Sequence, residues 1–263
     1  MMADPNLEDE LAGTEQPFVA HLVELRDRLI KAMIAVAVMA GVLFLYPGPA
    51  ALYDILAAPL VSHLPKGATL IATSVISPFL VPLKILLMAA FLLALPVVLY
   101  QAWAFIAPGL YSHEKKLVLP LVVSSTLLFF IGVAFCYFFV FGQVFKFIQS
   151  FAPKSITAAP DIEAYLSFVL TMFLAFGMAF EVPIVVVVLA RMGFVTIQKL
   201  KEFRAYFIVV AFIVAAIITP PDVVSQLALA IPMCLLYEAG IWAAQLFIKH
   251  TKAPEEGAAA SGS

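Results

Sequence analysis

The stretch YLSFVLTMFLAFGMAFEVPIVVVVL, residues 165–189, decides the fold class of this chain. Glu181 is its only acidic or basic residue, and a helix of that length spans about 37 Å, more than the roughly 30 Å hydrocarbon core of a bilayer. Further apolar stretches cover residues 29–46, 78–105, 117–145, 205–219 and 223–248. The pattern predicts an all-α membrane protein with six transmembrane helices, of which the fifth is short at about 22 Å.

The composition supports this fold class and limits the functions to consider. Hydrophobic residues make up 64% of the chain and charged residues 12%, whereas soluble domains have roughly half and a quarter. The net charge of −2 gives no electrostatic reason to expect nucleic acid. Cys136 and Cys234 lie in apolar runs without metal-binding spacing, so we predict no metal and no cofactor. We expect a polar N-terminal tail (1–16), one six-span domain (17–250) and a C-terminal tail (251–263).

The distribution of Lys and Arg predicts the orientation, since basic residues concentrate in cytoplasmic loops. If the N-terminus is cytoplasmic, that side carries Arg26, Arg28, Lys31, Lys115, Lys116, Arg191, Lys199, Lys201, Arg204, Lys249 and Lys252. The opposite side carries Lys66, Lys146 and Lys154. The asymmetry places both termini on the cytoplasmic side, and it supports counting the short fifth span, because only with six spans do Lys249 and Lys252 join the basic side.

The segment FVAHLVELRDRLIKA, residues 18–32, predicts an amphipathic helix at the cytoplasmic interface that leads into span one. Glu24 and Arg28 have the i,i+4 spacing of an ion pair. One interpretation is an interfacial anchor. The other is a binding site, because an anchor needs no carboxylate and a carboxylate at this position can receive a cationic side chain from a partner.

Two more carboxylates are candidates for function. Glu114, between spans two and three, is either a solvated loop residue paired with a neighbouring lysine or part of an acidic site with Glu24. Glu181 lies roughly 15 Å from Arg191 along span four, where a charge is costly. Because Pro183 leaves the Ala179 carbonyl without its usual partner, we expect a kink beside Glu181. Glu181 is then a structural, satisfied acid, a contact for a partner helix, or a proton site.

Three further ionisable residues have structural interpretations. Asp222, in the turn Thr219-Pro220-Pro221-Asp222, suits the N-terminal cap of span six. Lys84 is close enough to one end of span two for its ammonium group to reach the interface. Glu238 in span six is expected to face the protein interior.

Known enzyme motifs are missing from the sequence, which contains no GxSxG, HExxH or P-loop, so we predict that the protein is not an enzyme. An intramembrane enzyme would need a buried nucleophile or metal set, and none is visible. A proton-coupled small-molecule transporter using Glu181 and Glu238 is the main alternative. Absent repeats and few polar residues in the spans argue against it.

Five stretches carry a resemblance to a known family: HLVELRDRL (21–29), APL (58–60), YQAWAFIAPGLYSHEKK (100–116), YLSFVLTMFLAFGMAFEVP (165–183) and IITPPDVVSQ (217–226). They occur in family order through nearly the whole chain, which is similar to the TatC family, the receptor subunit of the twin-arginine protein translocase, in its proteobacterial form. The resemblance implies six spans in a curved, cup-like arrangement in the bacterial inner membrane.

The resemblance also implies roles for individual residues. Glu24 and Glu114 would receive the two arginines of a twin-arginine signal peptide. The surrounding recognition surface would comprise Arg26, Phe105, Leu110 and His113. Pro59 would lie on the first periplasmic loop, Glu181 with Pro183 in the concave groove, and Asp222 in the periplasmic cap.

The partners that the resemblance implies are signal peptides of folded cargo, single-span subunits of the TatA/TatB type, membrane lipid, and further copies of this chain in a receptor complex. The energy source would be the proton-motive force.

Overall fold

The computed structural model of the chain describes residues 5–54, 71–106, 118–151, 161–219 and 222–248. Over these ranges the protein is almost entirely helical. Strand-like pairing among the described residues is limited to one parallel bridge between Ile71 and Asp161. The helices are α1 Pro5–Leu45, α2 Ser77–Ile106, α3 Val118–Phe135, a π-helical segment Cys136–Val140, α4 Phe141–Phe151, α5 Ile162–Ala179, α6 Val182–Arg191, α7 Ile197–Glu202, α8 Arg204–Ile218 and α9 Val223–Ile248.

The helices confirm the predicted all-α membrane fold. Five described helical stretches are long and apolar enough to cross a bilayer: Val19–Leu45, Ser77–Ile106, Val118–Val144, Ile162–Arg191 and Val223–Leu246. The short apolar helix α8 has 15 residues, as the sequence predicts. The predicted N-terminal tail is helical from Pro5 and continues without a break into span one.

The chain forms two compact units. The first comprises Met1–Thr126 with Ala158–Leu166, and the second comprises Leu127–Thr157 with Ser167–Ser263. In the first unit α1 packs along α2, whose Val81 and Ile85 side chains are fully buried. In the second unit α9 packs against α6 and α8.

Span four is interrupted at the predicted position. Helix α5 ends at Ala179 and α6 begins at Val182, with Glu181 as the residue that precedes α6. Because Pro183 has no N–H, the helical hydrogen-bond pattern cannot continue through Ala179. The Glu181 N–H instead donates to the Met178 carbonyl at 3.0 Å, a bond to the third preceding residue. The helix is therefore interrupted beside Glu181, at the position where the sequence predicts a kink.

Glycines set the close helix packing around this interruption. A Cβ atom on Gly132 of α3 would lie 2.5 Å from the Phe176 carbonyl oxygen, and one on Gly177 would lie 2.4 Å from the Phe129 ring. In the second half of span four, a Cβ atom on Gly240 of α9 would lie 2.9 Å from the Cα atom of Pro183 in α6. Small residues of this kind let membrane helices approach closely. Here they allow α3 to pack against α5 and α9 to pack against α6, which are the two halves of span four.

Candidate functional site

Glu24 lies on α1 and its carboxylate is already engaged by a guanidinium. Arg28, one helical turn later, donates to Glu24 Oε1 from Nη2 at 2.6 Å and from Nε at 2.8 Å. His21 Nδ1 lies 3.8 Å from the other oxygen, Oε2. The side chains of Glu24 and Arg28 are 37% and 25% exposed. The predicted i,i+4 ion pair is thus formed, and both of its hydrogen bonds go to Oε1, so Arg28 does not bind Oε2.

Phe105 connects α2 to this part of α1. Its ring stacks on the His21 ring with a centroid distance of 4.3 Å and an angle of 15° between the planes. Beside the stack, α1 and α2 enclose a groove of about 240 Å³ whose wall includes Leu25, Leu29 and Phe105, with Arg28 also lining it. A carboxylate next to an apolar groove can accept a ligand that carries a cation followed by apolar groups.

Arg26 forms its ion pair with Asp27 and not with Glu24. It donates to Asp27 Oδ1 from Nη2 at 2.9 Å and from Nε at 3.0 Å. Both side chains are at least half exposed. Of the predicted recognition residues, the structure brings Glu24 and Phe105 together through His21 and places the Arg26 guanidinium on Asp27. Glu114, Leu110, His113 and Pro59 lie outside the described residues.

Glu181 occupies the break in span four. Its side chain is partly buried, and its Oε1 atom is inaccessible to solvent. Its backbone carbonyl accepts the Val185 N–H at 3.0 Å, which starts α6. Pro183 is buried within the first turn of α6. The break therefore holds a carboxyl group within the apolar length of the span.

Asp222 caps α9 as predicted, since its Oδ1 accepts the Ser225 N–H at 2.7 Å. Its Oδ2 is buried and has no hydrogen-bond partner among the described residues. Gln226 Nε2 donates to the Phe212 carbonyl at 3.3 Å and so connects α9 to α8. The short fifth span is thereby joined to the start of span six.

The structure corrects the expectation that Glu238 faces the protein interior. Its carboxylate forms a two-point ion pair with Arg204, with Nε–Oε1 at 2.6 Å and Nη2–Oε2 at 2.8 Å. The two side chains are 40% and 44% exposed. The partner lies 34 residues away in sequence, so local periodicity does not reveal it.

Lys84 also has a partner that the sequence did not indicate. Its Nζ donates to Glu163 Oε1 at 2.6 Å, and the buried Ser77 hydroxyl donates to Glu163 Oε2 at 2.8 Å. The ammonium group is therefore held by a carboxylate and does not simply extend to the interface. The topology could have indicated this ion pair. Counting the helices shows that spans two and four begin on the same side of the membrane, where Lys84 and Glu163 lie.

A second polar contact lies at the same end of the first unit. Thr73 donates to Asp161 Oδ1 from its backbone N at 3.1 Å and from Oγ1 at 2.8 Å. Hydrogen bonds from the Ala164 backbone, then from Thr73, lower the pKa of the Asp161 carboxyl. Together with the bridge between Ile71 and Asp161, these bonds tie the segment before α2 to the start of α5.

Comparisons with a family profile, with relatives and with solved structures all match the same family. The profile of the Sec-independent protein translocase protein (TatC) matches residues 20–232. The chain is 50% identical to the Sec-independent protein translocase protein TatC of Halothiobacillus neapolitanus, covering 98% of this chain and 71% of that protein. It is 47% identical to the protein of the same name from Escherichia coli K12, covering 92% and 93%. A crystal structure of the twin-arginine translocase receptor TatC superposes with a TM-score of 0.74 at 43% identity, covering 86% of this chain and 98% of that one.

Proposed function

This chain belongs to the TatC family, and on that premise we propose that it is the signal-peptide receptor and core subunit of a twin-arginine translocase. It exports folded proteins across the bacterial inner membrane, with both of its termini in the cytoplasm and the proton-motive force as the energy source. The observation that carries the proposal is the Glu24 carboxylate, which binds a guanidinium beside an apolar groove.

The first step is recognition of the two arginines. Arg28 demonstrates that the Glu24 carboxylate accepts a guanidinium in this setting. An arginine from a signal peptide binds Oε2, to which Arg28 does not donate, or replaces Arg28, while the second arginine binds Glu114. Arginine suits this role better than lysine because its planar fork makes two parallel hydrogen bonds to a carboxylate. Arg26, Phe105, Leu110 and His113 complete the recognition surface.

The second step engages partner subunits. Single-span subunits of the TatA/TatB type dock at Glu181 and Pro183 in span four, where a carboxyl group offers a polar contact within an apolar surface. Asp222 and Pro59 act in assembly on the periplasmic side, and several copies of the receptor join in one complex. Helix α8, which is about 22 Å long, favours local thinning of the bilayer.

The test is capture of a signal peptide by the intact translocase in membrane vesicles. A photo-crosslinking twin-arginine peptide should label the wild-type chain strongly and its Lys-Lys counterpart weakly. Glu24→Gln should reduce labelling to the Lys-Lys level because the amide cannot neutralise a guanidinium. Asp27→Asn is the matched control, since Asp27 is an exposed carboxylate three residues later on the same helix that already pairs with Arg26.

Two results would contradict the proposal. One is equal labelling by the twin-arginine and Lys-Lys peptides. The other is an equal loss of labelling in Glu24→Gln and Asp27→Asn, which would indicate a general effect of negative charge on the helix.

A further inference from the structure

A second groove lies in the other compact unit, where α6, α7, α8 and α9 meet. It has a volume of about 430 Å³, within the roughly 300–1,000 Å³ range of ligand sites. Its wall is apolar and includes Val182, Val185, Leu189, Phe203 and Phe207. The groove is partly open, because Val185 and Phe203 are 40% and 47% exposed.

The described side chains at the floor of this groove are apolar or already hydrogen-bonded. The Tyr237 ring stacks on Phe207 at a centroid distance of 4.0 Å, and the Tyr237 hydroxyl donates to the Leu200 carbonyl at 2.8 Å. Both Tyr237 and Leu200 are buried in a core cluster with Val186 and Ile241. A ligand in the groove therefore meets hydrocarbon on its inner side.

One basic side chain lines the same groove among the described residues. Lys199 belongs to its wall, and its ammonium group forms no ion pair among the described residues. Two carboxylates on the helices around the groove have other partners. Glu202 of α7 accepts a hydrogen bond from Gln198 at 3.3 Å, and Glu238 of α9 is held by Arg204. An apolar cleft with a lysine that forms no ion pair among the described residues matches a ligand with a hydrocarbon chain and an anionic head.

The volume favours an acyl chain over a transmembrane helix as the occupant. A helix about 10 Å in diameter fills roughly 420 Å³ per turn, so the groove would hold only about one turn. An acyl chain is much thinner and fits lengthwise. Basic pockets between membrane helices on the cytoplasmic side bind the head groups of anionic lipids.

We propose that this groove is a binding site for an anionic phospholipid, with one acyl chain along α6 and its phosphate on Lys199. Exposed aromatic side chains near the basic end, Phe194 and Tyr206, suit the membrane interface where the head group would lie. The proposal stands on the groove and its cation. It uses the proposed orientation only to assign the lipid to the cytoplasmic leaflet, so it can fail or succeed independently of signal-peptide binding.

The test is native mass spectrometry of the full chain, purified in detergent and titrated with dioleoylphosphatidylglycerol or with dioleoylphosphatidylcholine. The wild-type chain should retain more of the anionic lipid. Lys199→Gln should lower retention of phosphatidylglycerol about fivefold and leave phosphatidylcholine unchanged. Val185→Phe should lower retention of both lipids. The larger side chain starts from an exposed position, so it occupies the groove and does not overpack the buried core.

Lys201→Gln is the matched control, because Lys201 is an exposed lysine on the same short helix outside this groove. Thermal unfolding of each variant checks that it is folded. Equal effects of Lys199→Gln and Lys201→Gln would overturn the proposal and indicate attraction by surface charge alone. A photo-crosslinking residue at Val185 that labels a protein in the assembled translocase, and no lipid, would overturn it in favour of a peptide occupant.

Discussion

Replacing Gly132 by alanine tests the close approach of α3 and α5 that positions the break in span four. The new methyl carbon would lie 2.5 Å from the Phe176 carbonyl oxygen and 3.0 Å from the Phe180 ring. Ordinary contact begins near 3.4 Å, so the Phe176 backbone must retreat by about 0.9 Å. A backbone carbonyl in a packed helix cannot rotate away as a side chain can. Overpacking of this kind costs about 1–3 kcal/mol.

The higher helix propensity of alanine opposes the destabilising clash, and a matched control variant cancels this contribution. Alanine favours helix over glycine by up to about 1 kcal/mol, which would mask part of the clash. Gly142→Ala provides the same gain in α4 of the same span, where the added Cβ meets nothing within 4 Å. The difference between the two variants therefore isolates the contact. At about 2–4 °C per kcal/mol for a chain of this size, Gly132→Ala should melt about 2–12 °C below Gly142→Ala.

A thiol-reactive fluorescent dye measures this melting in detergent, because Cys136 is fully buried in the folded chain and reacts on unfolding. Gly132→Ala should also reduce export if Glu181 needs a fixed position, since Phe180 packs at the same contact. Equal melting temperatures for the two variants, or a higher one for Gly132→Ala, would refute the reasoning and show that α3 and α5 do not depend on this glycine.

Two further predictions concern polar contacts. Arg28→Gln removes the cation that engages Glu24, and a partly exposed ion pair is worth about 0.3–1 kcal/mol, so a twin-arginine peptide should bind about two- to fivefold more tightly in fluorescence anisotropy. Weaker binding, or the same gain from Arg26→Gln, would contradict competition at Glu24. For Asp161, the lowered pKa means that its contribution to stability is present above the usual carboxyl pKa of about 4 and is lost as the pH falls through the lower, folded-state value. The protection factor of the Thr73 amide, which corrects for the intrinsic pH dependence of hydrogen exchange, should therefore fall in acid and should be low at every pH in Asp161→Ala. An unchanged protection factor in that variant would contradict the role of Asp161 in joining the two segments.

Local chemistry explains which parts of the structure the sequence could predict. The break at Glu181 follows from one missing N–H on Pro183, and the Glu24–Arg28 pair follows from the spacing of a single helical turn. The cap at Asp222 follows in the same way from the turn residues before α9. Each of these needs only neighbours within a few positions, so the amino-acid order contains it.

Contacts between distant segments were less accessible to prediction. Lys84 and Glu163 are 79 residues apart, and their ion pair requires two spans to begin side by side. For the same reason, the sequence pattern of span six places Glu238 in the interior and does not reveal its ion pair with Arg204. The π-helical segment Cys136–Val140 was also not predicted, because a one-residue slip in backbone hydrogen bonding leaves the apolar pattern unchanged.

The Arg28 guanidinium affects how much each of the two arginines of a signal peptide contributes to the binding energy. Under the proposed function, a first arginine that replaces Arg28 has to break an existing ion pair, so Arg28 reduces the net binding energy that Glu24 contributes without removing it. The second arginine, which displaces no such pair at Glu24, then adds the larger share of the binding energy. The same exchange predicts weak dependence on ionic strength for a peptide with one arginine and stronger dependence for a peptide with two, which a salt titration of both would measure.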